Sequence, residues 1–264
     1  MVFLSKDKHL IFIHIPKTCG KTIKKTLIAQ LDNDYTQTCD TFGYLFGQSC
    51  YDEKGYLCNP YHATYSSLKE QGLLDDNDFI YTFVRNPYDR FYSMYLHMKK
   101  LVISLLWVIL IINLILLMMI QTLSSKILQV PLLLLLIYVN LIVLCKFSYI
   151  QLVFEISQKN FNQFIRDNRK HLEGLYYHVF KPQAEYVNLD ALSFLGKEEN
   201  FEDDFKRLLR QVGLKPVIYS TNIKTVREGK GYKYLHFFDD DIIAFVNDYY
   251  HRDFLMFNYP MVTT

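Results

Sequence analysis

The sequence lacks a strong excess of either charge, which limits what its composition can say about partners. Its 264 residues include 29 Lys and Arg against 27 Asp and Glu, a formal net charge of +2. The overall field therefore argues neither for nor against an anionic ligand. Separately, we expect no nucleic-acid partner. Half of the residues are hydrophobic and 16% are aromatic, so a large core is expected and bulk disorder is not.

Cysteine is also scarce, and its spacing does not match the common zinc sites. The five cysteines are Cys19, Cys39, Cys50, Cys58 and Cys145, an odd number without paired short spacings. We therefore predict no metal site. Cys39, Cys50 and Cys58 lie in one polar, loop-like stretch. Two interpretations stay open for them: one disulfide in an oxidising compartment, or free thiols.

Two further absences concern membranes. Residues 1–10 carry charges and no apolar run long enough for a signal peptide, so we expect no N-terminal signal or anchor. Charge is absent from 101–125 and 127–145, and each stretch approaches the roughly 20 residues that a helix needs to cross a bilayer. Three interpretations of about 101–146 stay open: a membrane hairpin, a buried helix pair, and a non-native segment from a retained intron or shifted reading frame.

The pattern outside this block predicts an α/β fold with a parallel sheet flanked by helices. Residues 9–16 are apolar and β-branched and predict a buried strand, followed by a turn and a helix over 21–31. Residues 79–84 predict a second buried strand. A helix should start at Pro87 and end near Lys100, with Asn86 as its cap. The whole of 1–264 is then a single domain interrupted by an insertion at about 101–146.

The loop after the first strand ends in Gly20-Lys21-Thr22, which is also typical of nucleoside triphosphate sites. Such sites have a further glycine five residues before the Gly of Gly-Lys-Thr, and that position is Ile15. The second strand ends in Arg85 rather than in a magnesium-binding acid. Both features disfavour a P-loop kinase.

The same loop suits one compact anionic group at a helix N-terminus. Lys17 supplies a point charge, and Thr18 and Thr22 supply hydroxyl groups. The backbone from Cys19 through Gly20 and Lys21 to Thr22 supplies N–H donors. The alternative is a tight strand-to-helix turn with a solvated lysine.

A second anion site is predicted beside the first. Arg85 follows the second strand and Ser93 lies eight residues later, about two helical turns. Open α/β sheets bind ligands at the carboxyl ends of their strands, so these two side chains are candidates to grip a second phosphate. The alternative for Arg85 is a structural pair with Asp89 or another acid.

These motifs together resemble a known family. The stretches HIPKTCGKTI and FVRNPYDRFYSMY resemble the 5′-phosphosulfate loop and the 3′-phosphate motif of sulfotransferases that use 3′-phosphoadenosine 5′-phosphosulfate, most closely the carbohydrate sulfotransferases of the Golgi. FKPQAEYV and YYHRDFLMFNY are similar to the family's Pro-Gln segment and terminal motif. Cys19 replaces a glycine and Lys21 replaces a Thr or Ser of the usual loop.

The resemblance implies a P-loop-like nucleotide-binding sulfotransferase fold, a glycan or other hydroxyl-bearing acceptor, and a Golgi location. The loop from Lys17 to Thr22 would bind the 5′-phosphosulfate, with Lys17 catalytic, and Arg85 and Ser93 would bind the 3′-phosphate. His62 is the expected base and Glu53 the alternative. The other function left open is a non-catalytic, membrane-associated protein with a decayed sulfotransferase fold that contacts the membrane through 101–146.

Overall fold

The computed structural model describes residues 2–5, 9–31, 36–37, 50–51, 57–58, 63–122, 160–172, 180–219 and 232–263. The chain divides into two compact units. One comprises Met1–Met94 together with Asn168–Thr264, and the other comprises Tyr95–Asp167.

The larger unit contains a five-stranded sheet in the order β3-β1-β2-β6-β7. Its strands are β1 (Val2–Ser5), β2 (Leu10–Ile13), β3 (Thr36–Gln37), β6 (Phe79–Val84) and β7 (Phe194–Lys197), while β4 (Cys50–Tyr51) and β5 (Leu57–Cys58) form a separate antiparallel pair. The strands β2, β6 and β7 are parallel, and β1 runs antiparallel to β2 and β3. The predicted parallel sheet is thereby confirmed in its three strands β2, β6 and β7, whereas the antiparallel extension by β1 was not foreseen.

The described helices are α1 (Gly20–Gln30), α2 (Tyr65–Glu70), α3 (Pro87–Thr122), α4 (Phe161–Leu172), α5 (Phe201–Gln211), α6 (Asp240–Tyr249) and α7 (His251–Met256). The helix α1 starts one residue before the predicted position. The helix α3 starts at Pro87 as predicted, and the side chain of Asn86 accepts a hydrogen bond from the Tyr88 N–H at 3.0 Å.

The core beside α1 and α5 is built from aromatic and aliphatic side chains of the sheet. Phe83 lies 5.3 Å from Phe201 and 5.9 Å from Phe205, measured between ring centroids. A Cβ atom on Gly196 would lie 2.3 Å from the Phe83 ring, so only glycine fits at that point of β7. Fully burying one such side chain contributes about 1.5–3 kcal/mol. This packing holds β6 and β7 together where the site residues begin.

The predicted end of α3 near Lys100 is wrong, because the helix continues to Thr122. No glycine or proline occurs between these two positions, and the Leu and Ile side chains there are compatible with a helix. Within the smaller unit, Tyr95 packs against Phe161 and Phe164 of α4, with ring centroids 5.2 and 5.6 Å away.

Several apolar side chains of α3 are exposed: Ile111, Leu114, Ile115 and Met118. Among the described residues, none of the helices combines the length and the apolar character that crossing a membrane requires. Residues 123–146 of the insertion lie outside the described residues. The helix α4 begins at Phe161.

Candidate active site

Three residues that follow neighbouring parallel strands meet at one edge of the sheet. The Lys17 loop follows β2, Arg85 follows β6 directly, and Glu198 follows β7 directly. The Arg85 Nη1 lies 3.5 Å from the Lys17 carbonyl oxygen, and its Nε lies 3.0 Å from the Glu198 Oε2. The structure therefore places the Lys17 loop and Arg85, the residues of the two predicted anion sites, side by side at the edge where open α/β sheets bind ligands.

The Lys17 loop has an unusual backbone. Lys17 has φ 70° and Cys19 has φ 62°, so two residues that are not glycine adopt the left-handed conformation. For ordinary residues this conformation costs about 1–2 kcal/mol each. Thr18 is fully buried, and its hydroxyl donates to the Ile15 carbonyl oxygen at 2.8 Å. That hydroxyl proton is thus used to hold the loop, whereas the sequence had suggested it as a ligand donor.

Gly20 is required for a different reason. A Cβ atom there would lie 1.9 Å from the Nε2 of His14, so the imidazole packs directly against the glycine backbone. The carbonyl oxygen of Cys19 accepts hydrogen bonds from the N–H groups of Thr22 at 2.9 Å and Ile23 at 3.2 Å, which starts α1. The helix α1 therefore begins at Gly20, directly after Cys19, whose backbone is left-handed.

Glu198 is a site residue that the sequence did not single out. Its side chain is 13% exposed and that of Arg85 is 9% exposed, so the two form a nearly buried ion pair. The Cys19 thiol also hydrogen-bonds to this carboxylate. Burial raises the pKa of Glu198, while the Arg85 charge acts in the opposite direction. Burial is also the main cause that raises the pKa of the Cys19 thiol, and the Glu198 charge adds to it.

The acid partner expected for Arg85 exists, but it is Glu198 and not Asp89. Asp89 instead accepts hydrogen bonds from the backbone N–H groups of Lys233 at 3.1 Å and Tyr234 at 2.9 Å. The Tyr234 ring lies 5.8 Å from the Arg85 guanidinium carbon. Asp89 thus brings the chain after residue 231 against the Arg85 side chain.

The backbone of Arg85 is held by a glutamine from a distant segment. The Arg85 N–H donates to the Gln183 Oε1 at 2.9 Å, and the Gln183 Nε2 donates to the Arg85 carbonyl oxygen at 2.7 Å. Asp253 in turn accepts from the N–H groups of Gln183 at 2.8 Å and Ala184 at 2.7 Å. Asp253 is fully buried, and burial raises its pKa. The Pro-Gln segment and the terminal motif therefore act together to place Arg85.

Arg90 links the same segments and was also missed. It is 1% exposed, its Nε donates to the Pro16 carbonyl oxygen at 3.1 Å, and its Nη2 donates to the Lys181 carbonyl oxygen at 2.9 Å. The Tyr250 ring lies 6.0 Å from its guanidinium carbon. The available signal was an arginine within the otherwise aromatic stretch FVRNPYDRFYSMY, but its partners are 74 and 91 residues away in the sequence.

The remaining predicted residues have mixed outcomes. Ser93 lies half-buried on α3, Thr22 is half-buried, and Lys21 is exposed on the first turn of α1. His62, the predicted base, and Glu53, its alternative, lie outside the described residues.

A metal site was not predicted, and the described residues contain one cluster with suitable ligand spacing. It consists of His9, Asp75 and Asp78, which are mostly exposed. His9 precedes β2 and Asp78 precedes β6, so this cluster lies at the opposite, amino edge of the sheet. It is therefore separate from the edge that carries Lys17 and Arg85.

Comparison with known proteins gives one match. A family model described as "Sulfotransferase family" matches residues 1–120, a range that contains the Lys17 loop, Arg85 and Ser93. No curated protein and no solved structure matches the chain significantly.

Proposed function

We propose that this chain, which a sulfotransferase family model matches over residues 1–120, moves a sulfonate from 3′-phosphoadenosine 5′-phosphosulfate to a hydroxyl of a carbohydrate acceptor. The family match supports sulfonyl transfer in general. The donor, the glycan acceptor and a Golgi location are the specific parts of this proposal. It also treats 1–264 as one sulfotransferase domain with an insertion at about 101–146.

The observation that carries the proposal is the contact between the Lys17 loop and Arg85 at adjacent strand ends. A lysine-bearing loop beside an arginine at adjacent strand ends suits a donor with two separated phosphate groups. The short loop around Lys17 suits the 5′-phosphosulfate, because backbone N–H groups and a helix N-terminus face a compact anion. Arg85 and Ser93 are then assigned to the 3′-phosphate. Glu198 contacts the Nε of Arg85 and the Lys17 carbonyl oxygen contacts its Nη1, so Nη2 is the nitrogen proposed for that phosphate.

The proposed reaction is an in-line displacement at sulfur. The acceptor hydroxyl oxygen forms the new S–O bond, while the bond between sulfur and the bridging oxygen of the 5′-phosphate breaks. The electron pair of that bond stays on the phosphate oxygen, and adenosine 3′,5′-bisphosphate leaves. Lys17 stabilises the charge that develops on this leaving group, and His62 accepts the proton of the acceptor hydroxyl.

A second candidate is a non-catalytic protein that retains the fold. Two observations favour it: Cys19 stands in the left-handed conformation where glycine is usual, and the Glu198 carboxylate neutralises Arg85. A P-loop kinase has less support, since Arg85 follows β6 at the point where such an enzyme needs a magnesium ligand.

Nucleotide titration separates these candidates. Under the proposal, adenosine 3′,5′-bisphosphate binds without a metal ion, and Arg85→Ala weakens it strongly. If the protein binds adenosine triphosphate with magnesium but does not bind adenosine 3′,5′-bisphosphate, it is a kinase. If it binds neither nucleotide, it is the non-catalytic protein. Sulfate transfer from labelled donor to a panel of glycosaminoglycans then tests the acceptor class. Lys25→Ala, an exposed lysine on α1, is the matched control for Lys17→Ala.

A further inference from the structure

The segment 258–263 is bound near its start to the residues around Arg85. The Tyr259 hydroxyl donates to the Glu199 Oε2 at 2.8 Å, and the Glu199 Oε1 accepts from the Asn86 N–H at 2.6 Å. Asn86 directly follows Arg85 in the sequence. Glu199 therefore ties this segment to the backbone at the strand end where the second anion site is proposed.

The far end of the segment is bound to the first turn of α3 and to α6. The Tyr88 hydroxyl donates to the Asn247 Oδ1 and accepts from the Val262 N–H at 2.9 Å. The Asn247 Nδ2 donates to the Val262 carbonyl oxygen at 2.8 Å. Because both backbone groups of Val262 are bound by side chains, the course of the segment past α3 is fixed.

Between these two ends, the segment binds Tyr232. The Tyr232 hydroxyl donates to the Pro260 carbonyl oxygen at 2.8 Å, and the Tyr232 ring lies 6.0 Å from the Tyr88 ring, measured between centroids. The N–H groups of the two residues after Tyr232 donate to the carboxylate of Asp89. The backbone of 232–234 is thus held from two sides, by Asp89 of α3 and by Pro260.

This double attachment places the Tyr234 ring beside Arg85. The ring centre lies 5.8 Å from the guanidinium carbon, and the Tyr92 ring lies 5.0 Å from the Tyr234 ring. A guanidinium within about 6 Å of a ring centre is attracted to the ring. Glu198 contacts only the Nε of Arg85, so the Tyr234 ring adds a second constraint on the guanidinium. Because the guanidinium is planar and its donors are fixed relative to one another, its orientation decides which of them face a ligand.

We propose that Tyr232 is a positioning residue of the nucleotide site, through which the segment 258–263 sets the orientation of Arg85. Tyr232 acts without contact to the nucleotide, because its effect passes from Pro260 through the backbone to the Tyr234 ring. This assignment rests on the proposed function, which gives Arg85 the 3′-phosphate as its ligand. The Tyr232 hydroxyl should therefore matter for nucleotides that carry a 3′-phosphate and not for those that lack one.

The test measures the affinity of the full chain for adenosine 3′,5′-bisphosphate by calorimetry, and for adenosine 5′-monophosphate by displacement titration. Tyr232→Phe removes the hydroxyl and keeps the ring. It should weaken adenosine 3′,5′-bisphosphate by about threefold to tenfold, the range expected for one hydrogen bond. The affinity for adenosine 5′-monophosphate should stay unchanged, because this nucleotide lacks the phosphate assigned to Arg85.

Tyr249→Phe is the matched control. Tyr249 is half-buried like Tyr232, and its hydroxyl also donates to a backbone carbonyl oxygen, that of Leu172, at 3.2 Å. This variant loses the same kind of hydrogen bond at a position on α6 that does not contact the 232–234 backbone through that bond. It should keep the parental affinity for both nucleotides.

A double-mutant cycle tests whether the effect passes through Arg85. Arg85→Lys keeps the charge but replaces the planar guanidinium by an ammonium group, which has no fixed orientation to lose. In this background, Tyr232→Phe should cause no further loss of affinity for adenosine 3′,5′-bisphosphate. A Tyr232 with a merely structural role would weaken both nucleotides, and would do so equally in both backgrounds.

The inference is overturned if Tyr232→Phe binds adenosine 3′,5′-bisphosphate as tightly as the parent does, if it weakens both nucleotides alike, or if its effect persists in the Arg85→Lys protein. An equal loss in Tyr249→Phe would overturn it as well. A parent that does not bind adenosine 3′,5′-bisphosphate contradicts the proposed function itself, and the role of Tyr232 with it. A parent that binds this nucleotide, together with any of the other results, contradicts only the role of Tyr232.

Discussion

The Lys17 loop and the Arg85 strand end lie side by side at the carboxyl edge of the sheet, but they are stabilised in different ways. The loop relies on its own backbone, with two left-handed residues and the internal hydrogen bond from Thr18 to Ile15. Arg85 relies on distant segments, through Gln183 on its backbone and Glu198 on its side chain. The loop should therefore respond mainly to changes of local conformation, and Arg85 to changes made far away in the sequence.

The largest effect is expected from the segment that supports Arg85. Asp253→Ala removes the acceptor of the Gln183 and Ala184 N–H groups and the buried charge that faces Arg90. Removing one member of a buried ionic network costs about 3–5 kcal/mol. Urea unfolding should show this loss, whereas Asp248→Ala, at an exposed position of α6, should stay within about 0.5 kcal/mol of the parent. A similar stability for both variants would mean that the network does not support the fold.

Lys17 should affect catalysis more than stability. Under the proposed function, Lys17→Ala removes a donor that would act on the leaving phosphate, so turnover should fall by a factor of about 100 or more. The fall should appear in kcat and in kcat/KM, with unfolding in urea nearly unchanged. Lys25→Ala should keep parental turnover. Loss of turnover together with loss of stability would make Lys17 a structural residue of the loop.

Part of this contrast could be predicted from the sequence. Strand-to-loop-to-helix patterns around Lys17 and Arg85 are local, so they predicted two parallel strands, the start of α3 and the neighbourhood of the two cations. Gln183 and Asp253 were recognised only as parts of motifs, since their partners lie 98 and 70 residues away. Glu198 was not foreseen, because its pairing with Arg85 depends on the register of β6 and β7.

The pH dependence of nucleotide affinity tests whether Glu198 influences the Arg85 side of the site. Burial raises its pKa, so the group is neutral at low pH and becomes charged as the pH rises through that raised pKa. Once charged, it offsets the Arg85 charge, and under the proposed function it would repel the 3′-phosphate. Glu199 and Asp89 are further negative charges that act on Glu198 itself. Nucleotide affinity of the parent should therefore fall with rising pH relative to Glu198→Gln, and the variant should bind several-fold more tightly above this pKa.

The parent must be compared with Glu198→Gln, because the 3′-phosphate of the nucleotide itself titrates near pH 6 and changes the affinity of both proteins equally. The contribution of Glu198 to the stability of the fold also falls with rising pH. A carboxyl with a raised folded pKa contributes stability at low pH that is lost as the pH rises through the folded pKa. Identical pH profiles for the parent and Glu198→Gln would show that Glu198 does not influence the ligand site.

The smallest effect concerns the conformation of the loop at Cys19. Both Cys19→Gly and Cys19→Ala remove the thiol and its hydrogen bond to Glu198, so the two variants differ in the left-handed backbone and in one methyl group. Glycine adopts φ 62° without a steric penalty, while alanine keeps a penalty of about 1–2 kcal/mol. The greater flexibility of glycine in the unfolded chain offsets part of this gain.

Urea unfolding should accordingly show Cys19→Gly to be more stable than Cys19→Ala by about 1 kcal/mol. Adenosine 3′,5′-bisphosphate should also bind the glycine variant at least as tightly as the parent, because the loop reaches the same conformation with less strain. If alanine proves equal or better in both measurements, the loop does not need the left-handed residue at this position. The difference between the locally determined loop and the remotely supported Arg85 would then disappear.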